Sequence, residues 1–282
     1  VGQKGHERVK ALPYLIRFFF AYHPIIFDLR DASLSNELAH HLPLVVILAF
    51  YLAYEKRGEL AKKLFSPGPQ GNGGCMLAGL LANLIGQLGG VYYLAQLSMP
   101  VTIYGTLRYL IGKDFAMSLK IPLLFLLLAF PIPGKVYINL VFPLKLLVSY
   151  LAGVVLKFMG FNVSVQGSVI VLPPLYLGVE DACSGLNSLL ALVTLAAFCG
   201  MTFLQRWSSR VVILFIVLPV IIFANVLRVT LSAYIAWTWG VDLIEGYFHT
   251  AWGLLVFAIS TVILVGAVIF LARREGKKNA SG

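Results

Sequence analysis

Charge is scarce in this sequence. Only 12% of its 282 residues are Asp, Glu, Lys or Arg, against roughly a quarter in an ordinary soluble domain, which excludes a water-soluble globular fold. Acidic residues are the scarcer sign, 12 against 22 basic ones. A net charge of +10 on so apolar a chain points to positive loops on one membrane face, and no nucleic-acid partner is expected. Cysteine is nearly absent. Cys75, Cys183 and Cys199 offer neither a pairable framework nor a C-x-x-C spacing, so neither a disulfide scaffold nor a zinc site is expected. Pro67-Gly68-Pro69 with Gly71, Gly73 and Gly74 lacks the Gly-Lys-Ser/Thr ending of a phosphate loop and reads as a plain loop. No short apolar segment ends in a small-residue cleavage site, so no removable signal peptide is expected. No metal or organic cofactor is indicated.

Apolar length is what the chain has in quantity. Hydrophobic residues make up 59% of it. Runs near the roughly 20 residues that cross a bilayer cover 11–27, 38–54, 75–97, 99–111, 119–132, 183–204, 211–238 and 243–272. The expected fold class is an all-α polytopic integral membrane protein of about eight transmembrane helices, forming a single membrane domain over residues 1–282. With both termini in the cytoplasm, fifteen of the 22 basic residues fall on that side and four outside, while Arg17, Arg108 and Arg228 lie within spans. This follows the positive-inside rule and places the protein in the cell membrane.

Between the fifth and sixth runs the pattern changes. Residues 136–160 look helical, with Lys145, Ser149, Gly153 and Lys157 at successive i+4 positions forming one polar or small stripe. An extracytoplasmic amphipathic helix lying on the outer surface is expected there. Residues 161–172 alternate and are rich in Val and Ser, and Pro173-Pro174 separates them from 175–179, the pattern of a short β-hairpin. Gly86 and Gly90 form a small-x-x-x-small pair, which reads as close helix packing. His40-His41, at the outer start of the second run, reads as interfacial in preference to metal-binding.

Three residues carry chemistry. Cys183 stands at the first turn of a helix, where the dipole and free backbone N–H groups favour a thiolate. Glu180 and Asp181 oppose that if they are close to the sulfur, although Asp181 can instead cap the helix. Arg228 lies inside the apolar run 221–236, a costly position unless it faces a polar interior or snorkels. Asn225, three residues earlier, shares its face. Position alone leaves both a structural carboxylate partner and a substrate open for Arg228. His249 alone reads as a membrane-interface histidine. Measured along their own helices, Cys183 lies ~35 Å from Arg206, Arg228 ~27 Å from Arg210 and His249 ~36 Å from Arg273, against a hydrocarbon core of ~30 Å. Three consecutive helices thus bring cysteine, arginine and histidine to one outer zone. Such a set suits acyl transfer through a thioester: the thiolate attacks a carbonyl, histidine moves protons and the guanidinium stabilises the oxyanion.

Pro131-Ile132-Pro133, the helix after it, Ala182-Cys183-Ser184-Gly185, Asn225-Val226-Leu227-Arg228 and His249-Thr250-Ala251-Trp252-Gly253 together resemble the exosortase/archaeosortase family of polytopic membrane cysteine enzymes. The likeness is specific over residues 119–270. The resemblance implies Cys183 as nucleophile with Arg228 and His249 as its catalytic partners. It implies supporting or substrate-binding roles for Asn225, Glu180 and Asn187, the last at a position where many members carry arginine. The implied substrate is an exported protein ending in a short motif such as Pro-Glu-Pro, a membrane helix and a basic tail. Cleavage would fall beside the motif at the extracytoplasmic face, with transfer to an envelope acceptor that the sequence does not identify. A rival of another class is a transporter or assembly component for envelope polymers, with Arg228 binding an anionic group; it leaves Cys183 without a role. A thiol-redox protein needs a resolving cysteine, and Cys75 and Cys199 fall toward the other face.

Overall fold

The computed structural model describes residues 18, 20–31, 41–65, 71–130, 134–179, 186–241 and 247–280. It is mostly helical, 83%, and divides into two compact units, Val1–Pro133 and Gly134–Gly282.

The first unit contains α1 (20–31), α2 (Leu42–Glu55), α3 (Arg57–Phe65), α4 (Gly74–Leu88), α5 (Tyr92–Leu110), α6 (Lys113–Ser118), α7 (Lys120–Phe125) and a 3-10 turn (Leu126–Ala129). Its centre is the α4–α5 hairpin. Gly90 turns the chain with φ +67°, a conformation that glycine adopts without steric cost. The sequence runs 75–97 and 99–111 are therefore redivided: the break falls at Gly89-Gly90, and Pro100 stays inside α5. Apolarity did not mark the turn because the glycine pair lies within an otherwise apolar stretch. Of the expected Gly86/Gly90 pair, only Gly86 packs. A Cβ there would lie 2.6 Å from the Ala95 nitrogen, one on Gly79 would lie 2.9 Å from the Thr102 nitrogen, and one on Gly105 would lie 2.6 Å from Met76 Cα. These pairs converge on the turn, as an antiparallel hairpin requires.

A polar seam crosses this glycine contact. The Tyr22 hydroxyl, fully buried, lies 2.8 Å from Ser98 Oγ and 2.6 Å from Thr102 Oγ1. Asn83 and Gln87 both donate to the Ala21 carbonyl, at 2.9 and 3.0 Å. Buried polar groups in an apolar surround are tolerated only when partnered, so these bonds fix α1 against the hairpin. Elsewhere in the unit, Glu59 accepts from Lys63 and from Ser118, tying α3 to α6. Lys63 first and Ser118 second hold the Glu59 carboxyl below its ordinary range. His41 is buried, with Nε2 2.8 Å from the Leu128 carbonyl. It braces the 3-10 turn. Gly71 lies beneath Arg108, where a Cβ would meet Arg108 Cγ at 2.6 Å.

The second unit contains α8 (Gly134–Phe158), β1 (Ser164–Gln166), β2 (Val169–Leu172), β3 (Leu175–Gly178), α9 (Leu186–Phe203), α10 (Trp207–Trp239) and α11 (Tyr247–Ala280). The expected hairpin is a three-stranded antiparallel meander in the order β1-β2-β3, with Val165 opposite Ile170 and Ile170 opposite Leu177. The extra reversal falls at Gly167, whose φ of +63° permits a tight turn. α10 packs on both sides. Val229 and Ala233 join Val148, Ala152 and Leu156 of α8 and Ile170 and Leu172 of the sheet in one core. Ile213, Val217 and Ile221 join Leu192, Ala196 and Cys199 of α9 and Leu264 and Val268 of α11 in another.

Three helices are long and apolar enough to cross a membrane: Ile138–Phe158, Trp207–Trp239 and Ala251–Gly276. Leu42–Glu55, Gly74–Leu88, Lys120–Ala129 and Ser188–Phe203 are apolar but shorter. Among the described residues, then, two of the eight expected runs, 211–238 and 243–272, correspond to full-length helices; residues 11–17 and 19 of the first run lie outside the described residues, and runs such as 119–132 fall in shorter helices. The first of the three is α8, expected on the outer surface with its small stripe to water. Its small members face inward instead, while Lys145 is half-buried and Lys157 exposed. Ser149 is fully buried, a Cβ on Gly153 would collide with Val165 of β1, and the exposed face carries Ile138, Leu140, Phe142, Leu147 and Val155. The sheet seats on the small residues, and the apolar face suits lipid.

Candidate active site

The α9–α10 connection spans only residues 204–206, and such short links join antiparallel neighbours. The same end is closed by Glu275 of α11. Its carboxylate accepts the Gln205 N–H at 2.8 Å and the Arg206 N–H at 3.1 Å, a cap for the start of α10 supplied by another helix. Arg210 closes the other half of the joint, donating through Nε and an Nη to the Leu204 carbonyl at 2.9 and 2.8 Å. The far ends of α9, α10 and α11 are therefore on one side of the bundle, and Arg228 and Asn225 of α10 lie toward it.

Arg228 is 8% exposed and Asn225 2%, both deep in the bundle. The arginine does not snorkel. Its guanidinium packs against α11: a Cβ on Gly253 would sit 3.3 Å from Nη2, 3.5 Å from Cζ and 3.7 Å from Nη1. Gly253 lies four residues after His249 on the same helix, so the two share a face one turn apart. Glu275 and Gly253 are 22 residues apart on α11, as are Arg206 and Arg228 on α10. Two contacts thus fix the register of this helix pair over about 33 Å, close to a hydrocarbon thickness.

The remaining candidates are less fully described. Cys183 and Glu180 lie outside the described residues; α9 begins three residues after Cys183, at Leu186. Asn187 and His249 fall in the first turns of α9 and α11. α9 packs on both α10 and α11, so its first turn belongs to the same end of the bundle as Arg228 and residue 249. Cys199 is buried in an apolar core, and packing accounts for it. Cys75 lies in the first unit, with Arg108 Nη1 3.8 Å from its sulfur. A half-open cavity of about 270 Å³ lies between Phe161, Asn162, Pro173 and Trp237. Trp237 is nine residues from Arg228, half a turn out of phase, so the cavity opens on another side of α10.

Residues 33–266 match the family model described as transmembrane exosortase. The chain belongs to the transmembrane exosortase family. Neither a curated protein nor a solved structure matches it. Exosortase family members are cysteine transpeptidases, and membership suggests a membrane sorting protease or transpeptidase. The matched span reaches well before residue 119, where the sequence likeness was specific, and takes in the α4–α5 hairpin as well as the candidate site. Two positions carried no individual role in the sequence reading. Gly253 was visible only as part of a motif, and Glu275 only as a lone acid in the basic stretch Arg273-Arg274-Glu275-Gly276-Lys277-Lys278. An acid in that setting is the signal that could have singled it out.

Proposed function

We propose that this exosortase family member is a cysteine transpeptidase with Cys183 as nucleophile, acting on exported proteins that end in a short motif, a membrane helix and a basic tail. The Cys183 thiolate adds to the scissile carbonyl, and the Arg228 guanidinium stabilises the oxyanion. His249 protonates the departing amine, which leaves with the membrane helix and basic tail, and the upstream protein remains as a thioester on Cys183. His249 then takes a proton from water or an acceptor amine, whose attack on the thioester frees the thiolate. Asn225, beside Arg228, supports the guanidinium, and Glu180 and Asn187 flank the nucleophile. Both termini are cytoplasmic in this reading, about eight segments cross or enter the bilayer, and the site faces outward.

The observation that supports the reading most is the buried guanidinium of Arg228 against α11, one turn from residue 249. The backbone level shared by Arg228 and the turn of residue 249 supports pairing the two in one reaction. The test is co-expression with a substrate carrying such a signal, followed by its change in mobility. Cys183→Ala is expected to abolish processing, whereas Cys75→Ala and Cys199→Ala retain it. Full processing by the Cys183 variant ends the nucleophile assignment.

A further inference from the structure

We infer that Gly253 is a positioning residue for Arg228: because it has no side chain, the guanidinium can lie flat on the α11 backbone one turn from His249. The inference rests on the proposed peptidase reading and deepens it. Nη2, Cζ and Nη1 stand at nearly equal distances, 3.3, 3.5 and 3.7 Å, from the point where a Cβ would be. A guanidinium approaching edge-on would set its atoms at more unequal distances, so the group presents its face to the helix. Its planar fork of donors is then directed along the α11 surface, not into it.

The other glycines of α11 make the comparison internal. A Cβ on Gly266 or Gly276 would meet nothing within 4 Å, so those positions accept a methyl group without moving a neighbour. Gly253 does not. Glycine is a poor helix former, and here the missing Cβ is occupied by a charged group that is 8% exposed. A methyl at 253 would leave the fold of α11 intact and push the guanidinium by a few tenths of an ångström. A branched side chain would evict it. Displacements of this size matter to a group that holds a developing charge and matter little to one that merely neutralises a field.

The experiment uses the full chain reconstituted in vesicles with a co-reconstituted substrate carrying the tripartite signal. Single-turnover processing is compared for the wild type, Gly253→Ala, Gly253→Val, Gly266→Ala, Arg228→Lys, Cys183→Ala and the Gly253→Val/Arg228→Lys double variant. The Gly266 variant should match the wild type. Gly253→Ala should slow processing about 3- to 10-fold and Gly253→Val about 100-fold, given that a misplacement near 1 Å costs about that much. The loss should appear in kcat with KM little changed, and the double variant should be no slower than Arg228→Lys alone, as expected for two residues acting through one group. The readout that needs no turnover is modification of Arg228 by phenylglyoxal, mapped by mass spectrometry in the same vesicles. It should rise several-fold in Gly253→Val and stay unchanged in Gly266→Ala. Processing by the Cys183 variant overturns the peptidase reading, and the phenylglyoxal rate then decides the role of Gly253 by itself. A protected Arg228 in Gly253→Val, or a processing loss that adds fully to that of Arg228→Lys, overturns the inference. Should Gly253→Val fail to accumulate, both readouts are taken on Gly253→Ala, with the same two results against the inference.

Discussion

An arginine that is 8% exposed inside an apolar bundle is expensive, and its cost is what makes Arg228 informative. If it serves only as a buried charge, lysine supplies the same charge and much of the function should survive. If it holds an oxyanion or an extended peptide through its planar fork, lysine lacks the geometry. Losing one oxyanion donor costs about 100- to 1000-fold in rate. Arg228→Lys is therefore expected to accumulate normally and to process substrate at least roughly 100-fold more slowly, in line with that donor cost. A cleavage time course normalised to enzyme abundance checks this, and near-normal cleavage would reduce the residue to a structural charge. Legibility at this scale was uneven. Arg228 stood out in the sequence because charge in an apolar run has few cheap explanations. Gly253 did not, since nothing about a glycine in a membrane helix tells a guanidinium bed from an open surface until the opposing helix is in place.

At the scale of elements, the seat of the sheet on α8 shows how a correct pattern can be given the wrong side. Lys145, Ser149, Gly153 and Lys157 do form a stripe, but helical periodicity reports which residues share a face and not what covers that face. The alternation of 161–172 announces the strands, but nothing in it says that β1 folds back onto Gly153. The α4–α5 turn was misplaced for a related reason: the runs were divided between residues 97 and 99, yet α5 continues through that point and through Pro100, as a membrane helix can when neighbours satisfy the freed carbonyl. By contrast, α9, α10 and α11 lie close to their expected runs, because long uninterrupted apolar stretches leave little choice of boundary. The sheet's dependence on Gly153 is testable. Gly153→Val places a branched side chain where Val165 already sits, and overpacking of this kind costs about 1–3 kcal/mol. A lowered Tm is expected for Gly153→Val and an unchanged one for Gly178→Ala, where a Cβ meets nothing within 4 Å. Equal melting of the two variants would mean that the sheet does not seat on α8.

For the whole molecule, the proposed orientation rests on the distribution of Lys and Arg. In a cysteine-free background, a single cysteine at exposed Asn162 is expected to react with an impermeant thiol reagent added to intact cells. One at Gly58 of α3, where a Cβ meets nothing within 4 Å, is expected to stay protected until the membrane is permeabilised. The reverse pattern would move the candidate site to the cytoplasm and remove the proposed substrate with it. The two contacts that register α10 against α11 bear on how such a site responds to its host membrane. Glu275 grips the backbone at one end, Gly253 receives Arg228 at the other, and both helices count 22 residues between. Bilayers that are thinner or thicker than this pair are accommodated by tilt or by local deformation of lipid. A helix pair locked at both ends tilts as one body, so Arg228 and the residue 249 turn rise or sink together. On the proposed reading, hydrophobic mismatch then changes how far residues 228 and 249 stand from the lipid surface, and with it which bond of an anchored substrate would be presented to Cys183, while the spacing between the two helices at that level is preserved.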